Sequence, residues 1–187
     1  MRQHRNLSIV GMTGVLAVAA TVGVMQRQVK SADARAAAAL DDPTIVAIFD
    51  AANTWDIQTG ELGATKGTTK EVRDFGAQLE RDHKAVRQQG RDLAKKLGVT
   101  PTPPKDFALA KNHAEAMEKL KTTKGKEFDR AFLQNEVDFH KAVIEAVNQT
   151  LLPSLKNQEV KDLVTRVAPA FQAHMQMAQH LLDKMSS

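Results

Sequence analysis

Four stretches of this chain carry apolar residues at steps of three and four, and nothing in it alternates as a strand does. Each apolar stripe is broken near its middle by a titratable residue. The first stripe reads Ile45, Phe49, Ala52, Asp56, Gly60, Gly63, and the second reads Phe75, Leu79, His83, Val86, Gly90, Leu93. The third reads Phe132, Glu136, His140, Val143, Val147, Leu151, and the fourth reads Val164, Val167, Phe171, His174, Ala178, Leu181. Burying such groups unpaired costs several kcal/mol, so they are expected to meet one another or an ion. Their helices must therefore come together with the breaks facing inward.

The punctuation sets the helix limits. Asp41 or Asp42 can cap the first helix ahead of Pro43, and Gly67 ends it near Lys66. Thr68 or Thr69 can cap the second, from Lys70 to Leu97, which stops at Gly98 with Pro101, Pro103 and Pro104 behind it. A weaker helical stretch, 106–120, belongs to the connection that follows. The third helix runs from about Gly125 to Leu152, where Pro153 is expected to end it. The fourth starts near Asn157 and reaches about Met185, with Pro169 as an expected kink. Two short hairpins joined by one long crossover make a ferritin-like four-helix bundle rather than a simple up-down-up-down one. The fold class expected is all-α, with the bundle over residues 43–187.

Residues 1–34 read as an address. Arg2 and Arg5 precede an uncharged run from Leu7 to Met25, and Ala32-Asp33-Ala34 offers a cleavage site beyond Arg27 and Lys30. A cleaved signal peptide and a retained membrane anchor both remain open, with 35–42 as an Ala-rich linker. Either places the domain outside the cytoplasm, in the periplasm or an equivalent space, touching membrane only through this segment. The formal charge of +4 is concentrated there, and the rest of the chain is near neutral. With one Trp and no Tyr, nothing suggests a surface for nucleic acid. The absence of cysteine excludes disulfides and thiolate metal sites.

Folding each hairpin about its turn estimates the level of the broken positions. Asp56 and His83 differ by about 3 Å at ~1.5 Å per residue, whereas His174 comes out roughly 7 Å off the level of His140. Asp56, His83 and His140 are thus the central ligand candidates, with His174 as a further one and Glu80 and Glu136 as auxiliaries. Glu80 and His83 form Glu-x-x-His, a spacing of two-iron sites in such bundles, but Phe171 occupies the place of the second Glu. One carboxylate with two or three histidines suits zinc or iron as a single ion. The alternative is a metal-free cluster in which Asp56 and Asp82 hydrogen-bond the imidazoles. Copper, suggested by the run from His174 to His180, is less favoured because Met175 and His180 point away from His174 on a helix. His113 reads as a solvated residue of the crossover.

Several stretches in order carry a resemblance: 71–76 (Glu-Val-Arg-Asp-Phe-Gly), Asp82-His83-Lys84-Ala85, 93–98, Phe128-Asp129-Arg130-Ala131-Phe132, His140-Lys141-Ala142-Val143, and His174 with Met177-Ala178. Over 44–182 the chain resembles a family of exported bacterial proteins with a ferritin-like domain of unknown function, often labelled outer membrane proteins. It departs from that family at Asp56, where Glu is usual, at Phe132, where Tyr is usual, and at Ala168 before Pro169, where Leu is usual. The resemblance implies fold and export and little about activity. The functional expectation is an extracytoplasmic bundle holding a transition-metal ion, for buffering or stress protection. The competing expectation is a non-enzymatic envelope protein whose bundle binds a protein partner. Redox catalysis ranks below both, because the carboxylate set is short.

Overall fold

The computed structural model describes residues 40–104 and 108–185. The chain divides into residues 1–39 and a second unit, Leu40–Ser187, to which all described residues belong. The expected signal or anchor segment and most of the linker therefore lie outside the described residues. The regular elements described are all helical.

Helix α1, Asp42–Lys66, starts where Asp41 accepts a hydrogen bond from the Thr44 amide at 2.9 Å, with Pro43 in its first turn. Helix α2, Lys70–Leu97, is capped by Thr69 and closed by Gly98 in the left-handed conformation at φ 66°. Helix α3, Ala108–Thr122, lies within the crossover. Helix α4, Gly125–Ala146, passes into a π-helical turn, Val147–Leu151, and a further short turn, α5, Leu152–Ser154. Helix α6, Gln158–Lys184, is capped by Asn157 and carries Pro169 inside it. Pro153 thus does not end the third helical run. It lies just past the π-helical turn, which runs without a break into α5, and the chain reverses at 155–157.

The packing follows the hairpins. The α1–α2 pair and the α4–α6 pair make the most extensive contacts. Gly60 and Gly76 let the first pair approach closely, since a Cβ on Gly76 would lie 2.3 Å from the Ala64 backbone nitrogen. The crossover runs the length of α1. Thr102 donates to the Pro43 carbonyl near the start of α1, while the Lys66 ammonium at its end donates to the Leu120 and Lys121 carbonyls. The Asp42 carboxylate accepts from the Lys156 and Asn157 amides, tying the start of α1 to the second turn. Asp129 likewise accepts from the amide and hydroxyl of Thr68, tying α4 to the first turn.

Two apolar clusters fill the bundle. One holds Ile45, Phe49, Val147, Leu151, Val164 and Phe171, and the other holds Val72, Phe75, Leu79, Phe128, Phe132 and Leu181. Apart from Asp129, which lies at the first turn, the buried polar residues of each of the four long helices fall between the two. The consequence is a polar layer across mid-bundle.

Candidate metal centre

The layer contains His83 of α2, Glu136 and His140 of α4, His174 of α6, and Asn53 and Asp56 of α1, each at most 4% exposed. Two overlapping groups have donor atoms within 4.8 Å of one another: His83 with His140 and His174, and Asp56 with Glu136 and His140. The four helices each contribute, as the broken stripes require.

His174 belongs to the centre, contrary to its calculated level. Its Nδ1 is 3.2 Å from His83 Nε2. The error came from placing the second turn at Pro153. With reversal at 155–157 the two arms of that hairpin are nearly equal. Glu80 stands apart from the centre. Its carboxylate accepts from Lys84 one turn later, on the partly exposed flank of α2. Asp82 and Asn53 are the residues that support the imidazoles instead. Asp82 accepts from His174 Nε2 at 3.1 Å, as the metal-free alternative expected of it. Asn53 was not anticipated, although it lies one turn before Asp56 on the same face.

Hydrogen-bond partners assign the histidine tautomers. The Asn53 amide nitrogen donates to the Phe49 carbonyl, so its oxygen must be the atom 2.9 Å from His83 Nδ1. His83 Nδ1 therefore carries the proton. His140 Nδ1 donates to the Glu136 carbonyl at 2.9 Å. His174 Nε2 donates to Asp82. Each imidazole thus spends its one proton on an outer acceptor, and its other nitrogen presents a lone pair to the centre. His83 Nε2 and His174 Nδ1 then face each other as two acceptors. His140 Nε2 has no hydrogen-bond partner, nor do Asp56 Oδ1 and Glu136 Oε2.

Adding protons to the rings is not an available remedy. Burial lowers His83 to about 2 and His140 to about 3, against an ordinary 6.5, and the neighbouring imidazoles push the same way. Burial lowers His174 as well, opposed by Asp82. The carboxylates move in the opposite direction. Burial raises Asp56 well above its usual range, with Glu136 adding to the rise, and burial raises Glu136 to about 7. A proton on this pair can satisfy the carboxyl oxygens. It leaves the His83 and His174 lone pairs facing each other.

The arrangement suits a cation. In tetrahedral zinc sites Zn–N is about 2.0–2.1 Å, which puts two ligand nitrogens about 3.3 Å apart. The 3.2 Å between His83 and His174 matches that spacing. Ligating imidazoles typically donate their other N–H to a carbonyl or carboxylate, and all three do so here. Among the described residues, neither methionine of the run after His174 is buried. Of the run after His174, Met177 is 42% exposed and His180 is exposed, so the copper arrangement is not assembled. His113 is also placed otherwise than expected: half-buried, it stacks on Trp55 with centroids 5.2 Å apart.

No curated protein matches the chain. Among solved structures, the crystal structure of a DUF305 fragment from Deinococcus radiodurans is similar, with a TM-score of 0.65 and 14% identity over 76% of this chain and 95% of that one. At that identity the likeness speaks for the helical-bundle fold alone. The match that covers most of the sequence is to a domain of unknown function, over residues 27–181, and by it the chain belongs to the family DUF4142.

Proposed function

We propose that this protein is an exported ferritin-like bundle that holds one transition-metal ion in its core. His83 Nε2, His140 Nε2 and His174 Nδ1 are the nitrogen ligands, and Asp56 supplies a carboxylate oxygen. Glu136, beside Asp56, is the auxiliary carboxylate. One observation carries the reading: three buried imidazoles have one nitrogen each committed to a protein acceptor, and one nitrogen of each lies within 4.8 Å of the others. A divalent cation satisfies the lone pairs of those nitrogens together with the Asp56 oxygen.

Three imidazoles and a carboxylate suit zinc or iron, and the missing thioether and thiolate disfavour copper(I). The donor set is too poor in carboxylates for a two-iron centre of the usual kind. Holding and buffering an ion is therefore the activity favoured over oxygen chemistry. Export rests on the basic start and apolar run of residues 1–34.

The test is metal content by mass spectrometry on residues 35–187 made without a His tag, beside the double variant His83→Ala/His140→Ala. The expected result is one transition ion per chain, lost in the variant. Protein that contains no metal and takes up none of zinc, ferrous iron or copper would leave a structural polar cluster and defeat the proposal.

A further inference from the structure

A buried ion needs a way in. On the side of the polar layer where α1 meets α4, the cover is the crossover helix α3. That helix is held unevenly. At its end Leu120 is buried in the apolar cluster of Phe128 and Phe132. There the Lys66 ammonium holds the Leu120 and Lys121 carbonyls and lies over the Phe128 ring. At its start, from Leu109 to Ala114, no residue is buried. His113 in this part donates to Gln58 at 2.9 Å and stacks on Trp55 with centroids 5.2 Å apart. Beneath these turns lies a cavity of about 170 Å³, room for about five waters at ~30 Å³ each. An exposed carboxylate, Asp138, and a buried one, Asp56, both line it. Leu109 lines it too, and also lines a narrower gap of about 30 Å³ that Asp56 shares with His140.

We infer that the first two turns of α3 are a lid, hinged at the buried Leu120 end, that lifts to let the ion in and out on the Asp56 side. The inference rests on the proposed metal centre and adds how that centre exchanges its ion. Asp56 is 4% exposed, so the passage is shut while the lid is down. Two carboxylates along it favour a cation. Asp56 takes the ion first, and its donor group already includes His140. Lifting these turns uncovers only half-buried side chains, whereas parting either hairpin breaks the most extensive contacts of the bundle. Because α3 supplies no ligand, weakening its hold changes both exchange rates and leaves their ratio, the affinity, alone.

The experiment mixes cobalt(II)-loaded protein, its metal content measured first, with saturating EDTA. Release is followed by loss of the cobalt visible spectrum, and uptake by its appearance when metal-free protein meets cobalt(II). His113→Ala removes a ring stack and a hydrogen bond, and should speed release and uptake by about tenfold each at unchanged affinity. Leu109→Ala, which thins the plug over both spaces, should act in the same direction. Leu93→Ala, on the flank of α2 that meets α6, should leave both rates as they are. Rates unchanged in both α3 variants, or raised as much by Leu93→Ala, overturn the inference and leave the metal centre standing. Protein that takes up no cobalt, zinc or ferrous iron overturns the proposed function and the inference with it.

Discussion

At the scale of single residues, the centre depends on groups that touch no ion. Asp82 holds His174 through its Nε2 and is itself partly exposed, so it can be changed without opening the core. Partners of this kind are typically worth 10–100-fold in metal affinity. Asp82→Ala is expected to weaken binding by roughly that factor with little change in helical content, as read by competition against a chromophoric chelator. Unchanged affinity would remove Asp82 from the site. The titrations give a second prediction, for metal-free protein. His83 and His140 hold folded values far below 6.5, so on acidification the unfolded chain takes up their protons first, and acid favours unfolding. Glu136 has the opposite sign. Its folded value of about 7 exceeds the ordinary 4.5, so its contribution is present below 4.5 and is lost as pH rises through about 7. The raised Asp56 acts in the same sense as Glu136. Below pH 3.8 ordinary carboxyl groups are also protonated, so Asp56 and Glu136 no longer offset the imidazoles, and Asp41, lowered by its Thr44 hydrogen bond, adds to them. Urea unfolding of metal-free protein should therefore show stability falling steeply below pH 3.8 and declining again through about 7. Metal-loaded protein should lack the upper decline, because the ion takes the carboxylates deprotonated.

Helices were the part most readable in the sequence. The α2 limits, Lys70 and Leu97, follow from the capping Thr69 and the left-handed Gly98. The interrupted stripes identified the inward residues, because a polar group inside an apolar stripe has nowhere else to go. Two features were not readable. Whether Pro153 stops a helix or opens another turn depends on the π-helical segment before it, and a local reading does not contain that segment. That ambiguity misplaced the level of His174. Glu80 and Asp82 are two residues apart and project about 160° from each other around α2. Only the packing of α6 decides between the two acids, Glu80 read as an auxiliary ligand and Asp82 read as an imidazole partner of the metal-free cluster. The glycines give the prediction at this scale. Gly76→Ala places a methyl against the α1 backbone, which has no side chain to yield. It should cost about 1–3 kcal/mol as overpacking does, measured by urea denaturation. A cost near zero would mean that α1 and α2 can part without penalty.

Across the whole molecule, the donors come from α1 and α2 of one hairpin and α4 and α6 of the other. An ion bound to all of them links the hairpins, which the chain itself joins only through the long crossover. Removing it should lower stability by about 2.7 kcal/mol relative to protein at free metal a hundredfold above its dissociation constant. Calorimetry with and without a chelator tests this, and superimposable traces would count against any bound ion. The polar layer has a further meaning. It separates two apolar clusters, and a layer of unsatisfied lone pairs and carboxyl groups has little cohesion of its own. Without metal the bundle resembles two small cores strung on shared rods, each free to melt at its own temperature. The ion would fuse them into one cooperative unit, so its loss should be seen in the breadth of the melting transition as much as in its midpoint.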